Sequence, residues 1–339
     1  MTLQNSGSIS FGQIRNEFGL PPGNNLGAYR VNYSNTGEGG SLSGLPLDDG
    51  VPQSGTIRFS DFYGKRMNTV VDCYRGGTQT TVNARDKYNN FSRTVVIGGY
   101  RSPKSSPSNE KIIVNVNKTF QGEGGDSRSK CSLRTGTYGN NIIFRVDIGS
   151  DGRIIGAGGD GGRGGSIGNG GRGGDGTSGL GLEQASENGT VVIANSGLIS
   201  AGFAGGGGGG GAYDHDKGSR RKASGGGGGG GAGLPAGERG RGGTKGSDGS
   251  NGGDGGENSA GSGGEGGNND GEARGGEGGH GGRDGQNAES GERGSGGEGS
   301  GSSGGSRGTN GAAIRRRGGV NFSVSGGTVR GNTSATGVT

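Results

Sequence analysis

The 339-residue chain has no tryptophan, two cysteines, two histidines and seven prolines, and its apolar residues other than glycine reach only 24%. A usual domain holds roughly 40% of such residues, so no single large core can be packed along this length. Aromatic residues stop early: 14 of the 17 lie before residue 145, which assigns the oily core to the first half. No apolar run approaches the about 20 residues of a membrane-spanning helix, and Met1–Phe18 lacks the basic-then-apolar layout of a signal peptide. The expectation is a soluble product with no membrane insertion. Cys73 and Cys131 are too few for a disulfide framework and read as structural thiols. Residues 69–150 have no histidine and their acids are scattered singly, so they resemble no catalytic set, and no cofactor site is expected. The chain reads as non-enzymatic.

Glycine is what the chain has in excess: 96 residues, where about 24 would be ordinary at roughly 7%. Residues 1–150 hold 22 of them and 151–339 hold 74. Charge divides in the same place. The first half carries 17 Lys/Arg against 11 Asp/Glu, and the second 18 against 19, so the net charge of +5 belongs to the first half. Four parts follow: 1–66, 67–150, 151–317 with an embedded β segment near 189–200, and 318–339.

Residues 1–66 contain an internal echo. Ser-Ile-Ser-Phe-Gly-Gln-Ile at 8–14 and Thr-Ile-Arg-Phe-Ser-Asp-Phe at 56–62 place Ile and Phe two apart, then a further apolar residue three along. Ser10 and Gln13 fit a capping box, which predicts a short helix over Phe11–Phe18 closed by Gly19. Ser60 would cap a second turn, Asp61–Tyr63. So small a module is marginal alone, and Ile9, Phe11, Ile14, Phe59, Phe62 and Tyr63 are its candidate docking residues, toward a partner or toward copies of the chain; a homotrimer is one assembly open to it. Residues 69–150 alternate with period two, as at Ile112, Val114 and Val116 and at Ile142, Phe144, Val146 and Ile148, and predict a small antiparallel β layer.

From Gly156 the chain falls into triplets. Of the 21 every-third positions from 237 to 297, 17 are glycine. A three-residue period matches polyproline-II geometry. It admits a collagen-like trimeric stalk, a single-chain bundle of polyglycine-II helices, or disorder. The bundle is the expectation: no proline follows Pro235 to stiffen a stalk, and polar breaks at Asn258–Ala260, Asn268–Arg274, Gln286–Ser290 and Ser300–Ser303 recur as hairpin turns would. Two pure heptaglycines, 205–211 and 225–231, suit central positions where no side chain fits. The fold class expected is therefore mostly β and irregular, with short N-terminal helices, a β-rich middle and a C-terminal polyglycine-II helix bundle. Apolar strand, Gly turn, strand units at 148–154, 193–199 and 324–329 would pin it to the β layer.

Tyr213, Asp214, His215, Asp216, Arg220, Arg221 and Lys222 lie between the heptaglycines and would project from one tip. Arginines and Lys222 there suit anionic sugar or phosphate, and Tyr213 suits a sugar ring; an exposed polar hairpin without a partner is the plain alternative. Asp214, His215 and Asp216 are adjacent in one loop and do not make a metal site. Arg315, Arg316 and Arg317 form a secondary basic run, or a solvated turn. Six Arg-Gly-Gly triplets raise nucleic-acid binding, but interleaved acids and scarce aromatics argue against it.

The strings SISFGQIR and TIRFSDFYGK resemble a repeat at the N-termini of many phage and prophage virion proteins, where it runs (S/T)-I-S-(L/M)-S-D-(F/V) and ends in DFYGK. Residues 140–162, 189–211 and 318–331 make the remainder similar to the glycine-rich receptor-recognition tips of phage tail fibres. The resemblance implies a virion protein on the tail or particle surface, assembled in the host cytoplasm. It implies attachment to other virion proteins through 1–66, and loops that bind a host surface glycan or outer-membrane protein. A decoration or connector protein of capsid or tail that binds no receptor is the alternative, as is the fibre stalk.

Overall fold

The computed structural model describes residues 3–18, 25–29, 51–52, 54–66, 68–73, 78–96, 99–101, 106–124, 127–216, 219–270, 272–296 and 300–338. Helix α1, Phe11–Phe18, opens the chain. The Ser10 N–H donates to Gln13 Oε1 at 2.7 Å and the Gln13 N–H to Ser10 Oγ at 3.2 Å, a reciprocal cap. Gly19 lies outside the described residues. In the second copy of the echo the turn is a 3-10 helix, Phe59–Phe62, entered two residues earlier than the sequence suggests, with Arg58 and not Ser60 at the cap position. There the Arg58 N–H donates to Asp61 Oδ2 at 2.7 Å.

Strands follow in a recurring triplet. The first set is β1 Asn68–Asp72, β2 Gln79–Thr80 and β3 Val82–Asn83; α2 Ala84–Phe91, β4 Ser92–Val96 and β5 Gly99–Arg101 come next. The second set is β6 Lys111–Val116, β7 Thr119–Gln121 and β8 Cys131–Arg134, and the third β9 Ile143–Ile148, β10 Arg153–Ile155 and β11 Ser178–Leu182. The fourth begins with β12 Val191–Asn195 and β13 Leu198–Ser200. It then passes through five short strands, β14 Ala212–Asp216, β15 Ser219–Ala223, β16 Asn268–Asn269, β17 Ala273–Arg274 and β18 Ser295–Gly296, and closes with β19 Ile314–Arg316. The fifth is β20 Phe322–Ser325, β21 Thr328–Arg330 and β22 Ala335–Thr336.

Each triplet contributes one strand to each of three sheets. Their orders are β20-β12-β9-β6-β1-β4-β5, β21-β13-β10-β7-β2 and β22-β19-β11-β8-β3. The chain is thus a three-sided solenoid of five coils stacked in sequence order. Its pairings are parallel throughout except where β4 and β5 extend the first sheet. Columns of apolar side chains fill it. Val71, Val114, Val146, Ile193 and Val324 stand in register on one wall. Phe120, Ile154, Ile199 and Val329 line the second, and Val82, Leu133, Leu180 and Ile314 the third. At the first coil α2 plugs the end with fully buried Tyr88, edge-on to Tyr138 at 5.6 Å between centroids. On the outside of the first wall Val70 and Ile113 join Ile14, Phe18, Tyr29 and Phe62 in a separate small core, so the N-terminal module is docked on that face. Cys73 and Cys131 are buried free thiols.

Two expectations are corrected. The β-rich part is a stack of parallel sheets, not an antiparallel layer. Period-two alternation reports a wall with one buried face and is silent on strand direction. Nor is there a C-terminal helix bundle: the α-helices of the described residues are α1 and α2 alone, both before residue 92. The glycine period fixes how often a neighbouring backbone can come close. The chain meets that spacing with backbone hydrogen bonds between separate extended runs, none within a run.

There are ten such runs: 156–165, 170–177, 202–211, 225–231, 237–243, 249–255, 261–267, 275–282, 288–294 and 302–311. Every third N–H addresses the same neighbour. Gly159, Gly162 and Gly165 donate to Phe203, Gly206 and Gly209 carbonyls, and Gly158, Gly161 and Gly164 to those of Pro235, Glu238 and Arg241. The pairing places 237–243, 156–165 and 170–177 in one layer. The middle layer is 249–255, 225–231, 202–211 and 302–311, and the third is 261–267, 275–282 and 288–294. Run 202–211 exchanges bonds with 156–165, 170–177, 225–231, 275–282, 288–294 and 302–311, leaving backbone on every side. A Cβ at Gly206, Gly207 or Gly208 would strike the carbonyl of Gly279, Gly305 or Arg163 in turn. The heptaglycines form the two inner runs of the middle layer, 202–211 and 225–231, and the charged residues occupy the outer layers and the edge runs of the middle one, as at Asp254 and Arg307.

Candidate functional site

Runs leave the solenoid at one corner, between the second and third walls, and return there. Their far ends therefore gather at one tip: the turn 166–169, the hairpin β14–β15, the turn 244–248, the paired strands β16 and β17, and β18 with Gly301. The opposite turns, 232–236, 256–260 and 283–287, face the solenoid. There Arg153 pairs with Glu257, and Arg330 donates to Asn258 Oδ1.

The hairpin stands at the centre of the tip. Tyr213 pairs with Lys222, Asp214 with Arg221 and His215 with Arg220, so the expected cluster forms one two-stranded ribbon. Its bases are tied to neighbouring loops. The Tyr213 N–H donates to the Ser300 carbonyl at 3.4 Å, and the Lys222 carbonyl accepts from the Ser247 N–H at 3.0 Å and from Asn269 Nδ2 at 3.4 Å. Arg221 Nη1 lies 2.6 Å from Glu272 Oε2 and 3.9 Å from Asp270 Oδ2, which neutralises it. Asp214 is buried, whereas Tyr213 and Lys222 are half-buried at the rim. His215, Asp216 and Arg220 are described in backbone only, and the turn residues Lys217 and Gly218 lie outside the described residues. Around the ribbon are the exposed Ile167, Lys245, Asp270 and Arg274. Among the described residues the face mixes both charges with one exposed large apolar side chain, Ile167. Among the described residues no group of His, Cys, Asp and Glu is arranged to hold a metal ion.

Arg315–Arg317 lie apart from this tip, on the solenoid. Arg315 is buried: its Nε donates to Ser178 Oγ at 3.2 Å and its Nη1 to the Thr336 and Gly337 carbonyls at 2.5 and 3.2 Å. Burial lowers its pKa from the usual value. Arg316 Nη1 donates to the Val320 carbonyl and its guanidinium lies 5.9 Å from the centre of the Phe322 ring. Arg317 is exposed beside a groove of about 630 Å³ along the corner formed by 137–140, 183–187 and 317–320.

Of the docking candidates, Ile14 and Phe62 are fully buried, Ile9 and Phe11 pack on them, and the Tyr63 hydroxyl donates to the Gly7 carbonyl. Only Phe59, 41% exposed, presents a large apolar surface outward. Sequence reasoning missed Glu272, Asp270, Asn269 and Ser247 as partners of the hairpin. The breaks in the glycine period marked their turns. Counting alternate turns as tip or base would have placed them beside the ribbon.

No protein-family model matches the chain, and no curated protein matches it. Among solved structures, the chain is similar to one described as the gp37-gp38 adhesin tip complex of the bacteriophage S16 long tail fiber. The identity is 16% and the TM-score 0.34, over 84% of this chain and 90% of that one. That overlap is below the level at which two chains share a fold.

Proposed function

We propose that the chain is a non-enzymatic phage virion protein, a tail-fibre or tail-tip adhesin that binds the host surface through loops. The observation that carries the reading is the gathering of five connections at one end of a slab whose other end is fixed to a packed solenoid. Loops on so rigid a support lose little freedom on docking. The N-terminal DFYGK-type repeat supports attachment to other virion proteins, with Phe59 as the residue available for it. A host surface glycan or outer-membrane protein suits the mixed-charge tip, with Tyr213 and Lys222 at its rim. Arg221, held by Glu272, orders the hairpin against its neighbour. In the second reading the chain is a decoration or connector without a receptor; the pairing of Arg221 and the burial of Asp214 favour it, because they withdraw two groups from any ligand.

Replacing Tyr213–Lys222 with a short Gly-Ser loop separates the two. Loss of adsorption by otherwise intact particles is the expected result. Unchanged adsorption would remove this hairpin from receptor binding and favour the connector.

A further inference from the structure

Between the glycines of the first layer, side chains meet the backbone of the next run in a fixed pattern. Run 237–243 lies beside run 156–165, and every third residue faces its counterpart in register: 235 and 157, 238 and 160, 241 and 163, 244 and 166. A short acceptor on one run takes the outward N–H of the other. The Glu238 N–H donates to Asp160 Oδ1 at 2.8 Å, and the Thr244 N–H to Ser166 Oγ at 3.4 Å. Pro235 has no N–H, and it faces Ala157, which has no acceptor. The other side of the layer repeats the device against run 302–311. There the N–H groups of Ser303, Thr309 and Ala312 donate to Asn169 Oδ1, Asp175 Oδ1 and Ser178 Oγ.

One position on each side departs from this pattern. Arg163 faces the Arg241 N–H, and Arg172 faces the Ser306 N–H. A guanidinium has donors and no acceptor, so it cannot take these protons, and neither N–H meets an acceptor among the described residues. The two positions adjoin, because the Gly171 N–H donates to the Arg163 carbonyl at 2.7 Å and the Gly164 N–H to the Arg241 carbonyl at 2.8 Å. The Arg-Gly-Gly triplets at 163, 172 and 241 are thereby drawn into one exposed row. Two of the layer's acids, Asp160 and Asp175, are engaged by backbone N–H groups, and Asp175 also by Arg172; Glu238 is the acid with no such bond. Arg239 belongs to the edge, where its N–H donates to Asp254 Oδ1 of run 249–255. Among the described residues, Arg163 and Arg241 form no ion pair.

We propose that this row binds the carboxylates of an acidic polysaccharide. At the neighbouring positions the chain's own carboxylates, Asp160 and Asp175, accept the equivalent N–H. A carboxylate is therefore the group that fits beside Arg163 and Arg172, and the arginines add charge-assisted bonds to it. Two adjoining places suit a polymer with repeated carboxylates, since the first contact raises the effective concentration for the second. The three runs of the layer contain no aromatic residue, so the bases of a nucleic acid find no stacking platform there. The row lies on the runs and not on the loops of the tip, and the inference does not depend on the adhesin reading.

Oligogalacturonate, a linear chain with a carboxylate on each sugar, serves as the probe and neutral dextran as its control, with calorimetry and amide NMR on the full chain. Oligogalacturonate is expected to bind with a dissociation constant below about 1 mM and about tenfold tighter than dextran. Binding should weaken severalfold as salt rises from about 0.01 to 0.15 M, where the screening length falls from about 30 to 8 Å. The amide signals of Arg241 and Ser306 should move, while those of Glu238 and Thr309, already bonded within the chain, should not. Arg163→Asn supplies the acceptor from within. Its melting temperature should be no lower than the parent's, and its affinity for the probe about tenfold weaker. Absence of binding, undiminished binding by Arg163→Asn, a lower melting temperature of that variant, or shifts confined to the hairpin β14–β15 would each overturn the proposal. So would tighter binding of single-stranded RNA of equal charge, which would make the row a nucleic-acid contact.

Discussion

At the scale of single residues, the molecule depends on side chains that are missing. Gly207 has a carbonyl where its Cβ would stand, whereas Gly168, in a tip turn, has nothing within 4 Å. Gly207→Ala should therefore destabilise by about 1–3 kcal/mol, the usual cost of overpacking. Gly168→Ala should stay within about 0.5 kcal/mol, as surface changes do; thermal melts of the two variants test the contrast. The buried thiols give a pH dependence of definite sign. Burial pushes Cys131 up to about 12 from 9.0, and Cys73 higher still. Between the ordinary and the raised value the folded chain holds protons that the unfolded chain releases, so stability falls as pH rises. Their contribution should be complete below pH 9 and decline toward pH 12. Denaturant midpoints at pH 8 and 10.5 should differ less in the Cys73→Ala, Cys131→Ala double variant.

Among the elements, α2 closes one end of the solenoid, where its Tyr88 is fully buried against Tyr138. Tyr88→Ala should cost about 3–5 kcal/mol, the range for a large buried aromatic, and should speed amide exchange in β1 before β9. This scale is also where the sequence was most and least readable. The capping pair Ser10 and Gln13 announced α1 to the residue, since a cap is a local event. The alternation at Ile112, Val114 and Val116 announced a strand with a buried face. Its direction stayed hidden, because Val114 meets Val71 and Val146 from distant parts of the chain and nothing local distinguishes parallel from antiparallel partners. The units at 148–154, 193–199 and 324–329 read in sequence as strand, Gly turn, strand. In the structure each turns a corner between two walls. At the tip, the cluster 213–222 was legible as one loop; the neutralisation of Arg221 was not, since Glu272 is brought to it only by the return of a later run.

For the molecule as a whole, the solenoid and the glycine slab meet at one corner, and the slab is an insertion in two coils. The fifth coil makes the same passage, from β21 to β22, in four residues, 331–334. A chain in which 156–177 and 202–311 are each replaced by such a short connection should still fold into five coils and melt cooperatively. Circular dichroism and amide exchange of β9 and β12 would check it, and loss of cooperativity would mean that the slab is part of the solenoid's nucleus. The shared corner also sets a rule of parity. A run that leaves must be answered by one that returns, and the insertions hold two runs and eight. Lengthening or shortening a turn at the far end disturbs no register. Removing one run delivers the chain to the wrong end, with β19 stranded a full run length from its place. Such a chain can therefore change by pairs of runs, or freely at its turns, and at little else.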